Sequence, residues 1–466
     1  MKSTFDAIII GSGQAAPSLA VRLASSGMRT ALIEREHFGG TCVNDGCTPT
    51  KTMVASARAA FMARRAADYG VRIDGPVSVD MRRVKARKDE IVTQSIASLT
   101  RWLKNTENLT TICGHARFVS QRAVGVGDQI LEAERIFINV GGRPVVPDWA
   151  GIEQIPYLTS TSMMNLDVLP VHLIVVGGSY IGLEFAQMYR RFGAEVTVLE
   201  YADRIIAHED EEVSAEVQAI LEREGVRFVL GTRDPRVRRA EPGTDVAVLV
   251  RTAAGEREVI GSHLLFAVGR RPNTDALDLD QASIVTDARG FIKVDDQLQT
   301  NVPGIWALGD VNGRGAFTHT AYNDYQIVVD NLFGEGSRRI TDRIPAYALF
   351  TDPPLGRIGM TEAEVRTAGH AALKSVMPMT RVGRARERGE TQGFMKVLVD
   401  AQTQRILGAA LLCIEGDEIV HSLLDVMAAD APYTVIEHAV HIHPTVSELI
   451  PTLLEKLRPL DSSIEQ

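Results

Sequence analysis

The sequence predicts an α/β protein in which two copies of a β-turn-α-β unit precede a third, α+β domain. Three observations predict it. A glycine turn joining a short apolar strand to a helix occurs twice, at Gly11 and at Gly177. Each copy runs on into a second strand that stops on an acid, Glu34 or Glu200, at the same interval from its first glycine. From about residue 341 the texture changes to strands with a hairpin and then a helix, without such a turn. A chain of 466 residues is also too long for one ordinary core, so several domains are expected.

In "FDAIIIGSGQAAPSLAVRLASSGMRTALIERE" an apolar strand runs into Gly11, Gly13 and Ala16, a helix follows, and "TALIE" ends at Glu34. Glycine lets the backbone approach a pyrophosphate at a helix N-terminus, and the acid at the second strand's end holds a ribose. The complete unit, not a lone glycine trio, indicates a Rossmann-like dinucleotide site. "VHLIVVGGSYIGLEFAQMYRRFGAEVTVLE" repeats it through Gly177, Ser179, Gly182 and Glu200, so two such sites are expected. Glu200 favours a free 2′-hydroxyl, hence NADH, while Arg204 nearby leaves NADPH open. "ERIFINVGGRPVVP" (134–147) and "HLLFAVGRRPNTDAL" (263–277, with Gly269) each read as a strand leaving a nucleotide unit through a turn. "PGIWALGDVNGRGAFTHTAYND" (303–324) is a strand ending in Gly309 and Asp310, and an acid there can accept hydrogen bonds from a polyol.

Two of the four cysteines, Cys42 and Cys47, lie within "GGTCVNDGCTPTK" (39–51). A zinc site needs about four ligands, and C-x₄-C supplies only two, so no metal is expected. A disulfide across so short a loop restrains little chain entropy, which makes a structural staple a poor reading. Thr48 reads as the N-cap and Pro49 as the first residue of a helix, which places Cys47 where the helix dipole favours a thiolate. Lys51 then opposes the dipole and calls for an acidic partner, for which Glu184 is the candidate. A redox-active dithiol is the reading that remains. Asp45, between the sulfurs, is expected to raise the pKa of Cys42 or to repel anionic acceptors. Cys113 and Cys413 are expected to be inert core residues. In "HAVHIHPTVSELIP" (438–451), His443 and Glu448 form a candidate acid–base pair for moving a proton to or from a thiol.

The net charge of −9 argues against nucleic acid or anionic membrane as the main partner. Arg-rich "RVGRARERGE" (381–390) reads as a solvated or subunit-facing segment. No apolar run approaches the roughly 18 residues that would span a membrane. The N-terminus reads as a first strand, not an export signal. With few cysteines the cytoplasm is the expected compartment.

Together these motifs resemble the class I FAD-dependent pyridine nucleotide–disulfide oxidoreductases, which include dihydrolipoamide dehydrogenase, glutathione reductase and mercuric reductase. The resemblance covers essentially the whole chain. It implies an FAD-binding domain in two parts (1–150 and 278–340), an NAD(P)H-binding domain (151–277) and a dimerisation domain (341–466). FAD would be held by Gly11, Gly13, Ala16, Glu34, Gly40, Thr41, Lys51, Ala116, Gly309, Asp310 and the run His319-Thr320-Ala321. NAD(P)H would be held by Gly177, Ser179, Gly182, Glu184, Glu200 and Gly269, with Tyr180 covering the nicotinamide pocket. Cys42 would meet the acceptor, Cys47 would face the flavin, and Lys51 would sit at the flavin's reactive edge. His443 and Glu448 would be donated by the other subunit of a homodimer.

The resemblance also implies electron flow from NADH through FAD and the Cys42–Cys47 disulfide to an oxidised small-molecule acceptor. Thr50 stands where glutathione reductases usually carry a second Lys. Dihydrolipoamide dehydrogenases usually have a small aliphatic residue at the position of Tyr180. Mercuric reductases typically end in a cysteine pair and have Tyr in place of His443, whereas this chain ends "RPLDSSIEQ". The third domain looks most like a mercuric-reductase-like branch without those cysteines, which includes reductases that protect bacteria from reactive chlorine species and hypothiocyanite. The alternatives are the dihydrolipoamide dehydrogenase component of a 2-oxo acid dehydrogenase complex and a glutathione-type disulfide reductase.

Overall fold

The structure is a computed structural model that describes residues 2–240 and 245–461; the last five residues of "RPLDSSIEQ" lie outside them. The two glycine-marked strands become the centres of two five-stranded parallel sheets of the same design. In the first, Ala7–Ile10 lies between the acid-ending strand Thr30–Glu34 and Arg135–Ile138, with Leu109–Cys113 and Ile305–Ala307 at the edges. In the second, His172–Val176 lies between Glu195–Leu199 and His263–Phe266, with Val226–Val229 and Leu158–Thr159 at the edges. Both central strands are apolar runs rather than alternating ones because each is covered on both faces. The segments leaving the sheets, Gly142–Pro144 and Arg270–Pro272, pair with each other and join the two units.

The N-terminus differs from the single strand expected. Lys2–Thr4 pairs in a separate four-stranded sheet, and the chain turns at Asp6, whose carboxylate accepts from Arg29 N at 2.7 Å before Ala7–Ile10 begins. Residues 346–459 form a six-stranded antiparallel sheet with the helix Gly416–Ala428 packed on it. This is an α/β protein with a separate α+β domain at the C-terminal end. Cys413 is fully buried there, but Cys113 is exposed, contrary to expectation, because it ends an edge strand.

Three parts of the chain meet at Asp352. Its carboxylate accepts from Arg58 of the helix Cys47–Arg64 at 2.6 Å and from Arg191 of the helix Tyr180–Phe192 at 2.5 Å. Arg58 also reaches Glu390 at 2.9 Å and Arg191 reaches Glu224 at 2.6 Å. Burial alone would raise the Asp352 carboxyl, but Arg191 and Arg58 outweigh it and hold it below the ordinary range. A depressed carboxyl contributes stability above its unfolded pKa of about 3.9, which is lost as pH falls through the folded value. Asp352→Ala is expected to cost about 3 kcal/mol, because it strands two partly buried guanidinium groups that each keep one other carboxylate. Denaturant unfolding measures this, and a loss under about 1 kcal/mol would mean that Glu224 and Glu390 suffice.

The Arg-rich segment is less solvated than expected. Glu390 belongs to this junction, Arg388 pairs with Glu415 at 2.8 Å, and Arg384 donates to the Pro444 carbonyl at 2.8 Å. Its side chains tie the loop that carries His443 to the domain.

Candidate active site

The cysteine helix begins earlier than its capping residues indicated. Thr50 N donates to the Gly46 carbonyl at 3.0 Å, so Cys47 is the first helical residue, Gly46 occupies the cap, and Thr48 and Pro49 lie inside. Cys47 therefore sits in the first turn, at the positive end of the helix dipole. Its sulfur lies 3.3 Å from the Thr318 hydroxyl at the start of another helix, Thr318–Phe333. The hydrogen bond from Cys42 lowers the pKa of Cys47 to about 6 against the opposing effect of burial, with Thr318 and Lys51 adding to it. The same bond and burial push the Cys42 thiol far up. Reduced, the pair therefore holds one proton on Cys42 and a thiolate on Cys47 at neutral pH. Cys47 and burial are what raise Cys42 most.

Lys51 bonds Glu184 at 2.8 Å, and its ammonium lies 4.4 Å from the Phe350 ring centroid. Glu184 is almost fully buried and also accepts from Phe350 N at 3.0 Å, so the ion pair ties the cysteine helix to the second nucleotide helix.

The first nucleotide turn packs on bare backbone. Gly11 has φ +86°, and a Cβ there would lie 2.5 Å from the Asn139 carbonyl; at Gly13 it would lie 2.7 Å from the Asn139 side chain. Gly40 packs on Gly13, and Gly309 packs on the Asn139 amide. Asn139 is thus the buried post on which two glycine-bearing turns close, and sequence reading passed over it inside "INVGG". Its Oδ1 accepts from Ala16 N at 3.1 Å and its Nδ2 donates to the Leu308 carbonyl at 2.7 Å. The helix Ala16–Ser25 has no acid in its first turn and its own N-cap side chain makes no bond, so the positive end of its dipole can face a pyrophosphate. Glu34 accepts from Ser12 N at 2.9 Å and from Glu36 N at 2.9 Å. Asp310 stands near the Arg270 guanidinium, and burial raises its carboxyl. These groups fit FAD.

The second turn copies the first. At Gly177 a Cβ would lie 2.4 Å from the Ala267 carbonyl, and at Gly182 it would collide with the Gly177 carbonyl. Glu200 accepts from Gly178 N at 2.5 Å and from Ala202 N at 2.7 Å, matching the Glu34 arrangement. Ser179 is the uncapped N-cap of the next helix, and Gly269 follows the returning strand.

The remaining candidates scatter more. Thr41 is exposed and accepts from Arg270 at 3.2 Å, and Ala116 is buried at the start of a strand of the small four-stranded sheet. His319 bonds the Ala346 carbonyl at 2.6 Å, Thr320 bonds the Phe317 carbonyl at 2.7 Å, and Ala321 is buried. Thr318, one residue before the predicted run, is the member that touches the cysteine. His443 Nδ1 pairs with Glu448 at 2.7 Å; the imidazole is 81% exposed while the carboxylate is 11% exposed. His441 bonds the Ser447 carbonyl at 2.9 Å.

The chain belongs to the pyridine nucleotide-disulphide oxidoreductases: that family's pattern matches residues 5–324, and its dimerisation domain matches residues 345–454. It is an FAD-dependent, NAD(P)H-using disulfide reductase with Cys42 and Cys47 as its redox-active pair. Among individual proteins it is similar to the probable pyridine nucleotide-disulfide oxidoreductase RclA of Escherichia coli K12, at 37% identity over 97% of this chain and 99% of that protein. A solved structure of RclA, described as an HOCl-induced flavoprotein disulfide reductase, matches with a TM-score of 0.88 over 97% of this chain and 99% of that one. A mercuric reductase of Lysinibacillus sphaericus is 32% identical over 90% of this chain and 77% of that protein. A dihydrolipoyl dehydrogenase of Bacillus subtilis is 29% identical over 97% of each. Among the described residues no helix is long and apolar enough to cross a membrane.

Proposed function

We infer that the chain is an NADH-dependent reductase of the mercuric-reductase-like branch, acting on small oxidised acceptors of the reactive-species class. The observation that carries it is the dithiol at a helix N-terminus, with the Cys47 sulfur 3.3 Å from the Thr318 hydroxyl and the Lys51–Glu184 ion pair one turn on. FAD, held by the glycine turns around Asn139, would supply the two-electron transfer that links a nicotinamide to the Cys42–Cys47 disulfide. Cys47, at a helix N-terminus and next to Lys51, holds the resulting negative charge. Cys42 must lose its proton before it attacks an acceptor, and its raised pKa means that a base has to take it. The partner subunit's His443, held by Glu448, is the group for that task. Its exposure here, with Val440 and Ile442 almost bare beside it, suits a loop that a second subunit covers.

NADH is the reading for the second site because Glu200 offers a carboxylate to a ribose 2′-hydroxyl. Arg204, the residue that could have served a 2′-phosphate, is committed to the Ala207 and Glu209 carbonyls at 2.7 and 3.2 Å. Glu200→Ala is expected to raise the KM for NADH by about tenfold or more while changing kcat little, since it removes a hydrogen bond to a charged group. Equal loss of NADH and NADPH efficiency would show that Glu200 only shapes the turn.

Support for the acceptor class comes from RclA, which is described as HOCl-induced and for which a Cu(II) complex has been solved. The test is one panel of acceptors with each nucleotide: hypothiocyanite, Cu²⁺, Hg²⁺, lipoamide, glutathione disulfide and an artificial disulfide. Hypothiocyanite or Cu²⁺ is expected to turn over fastest with NADH. If lipoamide is fastest, the chain is a dihydrolipoamide dehydrogenase, the reading that its full-length likeness to the B. subtilis enzyme supports.

A further inference from the structure

Tyr180 is the first residue of its helix, and Glu184 lies one turn on, so the two share a face. The Tyr180 ring packs against Tyr347 at 5.4 Å between centroids, Phe317 at 6.0 Å and His208 at 5.1 Å. The polar tips of this cluster are joined as well. The Tyr180 hydroxyl bonds His208 Nε2, and the Tyr347 hydroxyl beside it bonds Glu209. A carboxylate only accepts, so Tyr347 donates to Glu209, and the ring that packs on Tyr180 is held from its far side. Burial pushes both phenols above their ordinary range, so each keeps its proton.

The far end is anchored in the core. The Glu209 side chain is fully buried, with Arg357 Nε 3.7 Å from it and Arg357 Nη1 3.6 Å from Asp210. These are charge contacts only: among the described residues the second Glu209 oxygen and all three guanidinium nitrogens lack a hydrogen-bond partner. Tyr347 therefore supplies the strong directional bond to Glu209. Tyr347 and Arg357 stand opposite each other on neighbouring strands of the C-terminal sheet, whereas Tyr180, His208 and Glu209 belong to the second nucleotide unit.

We propose that His208 and Tyr347 are positioning residues that latch Tyr180 shut across the nicotinamide pocket and tie this gate to the C-terminal domain. The proposal rests on the reading that Tyr180 covers that pocket. A latched gate weakens nicotinamide binding, because apparent affinity scales with the fraction of molecules whose gate is open. Breaking one hydrogen bond of ordinary net strength raises that fraction by about threefold to tenfold.

The test is equilibrium calorimetry on the oxidised holoenzyme with NAD⁺, alongside ADP-ribose, which has no nicotinamide to pass under the gate. His208→Phe and Tyr347→Phe are each expected to tighten NAD⁺ by about threefold to tenfold and to leave ADP-ribose unchanged. In a Tyr180→Phe background His208→Phe is expected to add nothing, since the hydroxyl it holds is already gone. If either variant moves both ligands equally, or moves neither, the latch is wrong. Tyr180→Ala separates the two ideas. Should it tighten NAD⁺ against ADP-ribose while His208→Phe does not, Tyr180 covers the pocket without this latch. Should it leave the ratio untouched, the gate reading fails and the latch falls with it.

Discussion

Cys47→Ser is expected to abolish NADH-dependent reduction of every acceptor while leaving FAD bound and still reducible by NADH. Cys47 is exposed in this structure and its side chain fills no core, so the loss is chemical and not a failure to fold. A serine hydroxyl at the same helix end neither forms the disulfide nor carries the negative charge that Cys42, Thr318 and Lys51 stabilise. Stopped-flow spectroscopy separates the two halves: NADH still bleaches the flavin, and no acceptor restores its colour through sulfur. In the wild-type enzyme reduced by two electrons, a long-wavelength thiolate–flavin band is expected. Because the folded pKa of Cys47 is lowered to about 6, the band persists above that pH and fades as pH falls through it. Cys42→Ser should keep a thiolate and lose turnover. It also removes the hydrogen bond that lowers Cys47 most, so its band should fade at a higher pH. A Cys47→Ser enzyme that still reduces a disulfide with NADH would rule out the relay.

His443→Gln is expected to slow turnover with acceptor by about 10²–10⁴-fold, the usual contribution of a positioned acid–base group, while flavin reduction by NADH is unchanged. Glu448→Gln should cost less, because it loosens the imidazole without removing it. The exposure of His443 on its own chain makes a sharper experiment possible. Neither Cys47→Ser nor His443→Gln homodimers turn over well, but a mixed dimer pairs an intact dithiol on one chain with an intact His443 on the other. Recovery of activity on mixing and refolding the two is expected if the site is shared between subunits. If the mixture stays as slow as its parents, His443 serves its own chain or serves no catalytic purpose.

Local chemistry made much of this legible. The glycine turns and their acids could be read because a pyrophosphate and a ribose demand that backbone shape at fixed spacing, wherever the unit sits in the chain. The cysteine pair could be read because a short C-x₄-C loop without further ligands suits little but redox work. Lys51 drew attention to Glu184 because it stood against a helix dipole with no partner nearby. Other residues escaped for a common reason. Asn139 looks like any polar residue after an apolar strand, yet two turns from distant parts of the chain close on it. Thr318 lies far from Cys47 in sequence and has no motif of its own. Cys113 was misplaced because apolar neighbours do not reveal whether a strand is central or at an edge.

The α/β class, the doubled nucleotide unit and the redox dithiol were therefore carried by residues a few positions apart, whose spacing alone encodes the chemistry. Which sulfur keeps the proton was not encoded there. That depends on how Thr318, Lys51 and Cys42 converge on Cys47, and the convergence needs helices brought together by packing. The pairing of Tyr180 with His208, Tyr347 and Glu209 was likewise decided only when the nucleotide unit met the C-terminal sheet. Hydrogen bonds between remote elements depend on the relative placement of whole domains, and no short stretch of sequence contains that placement.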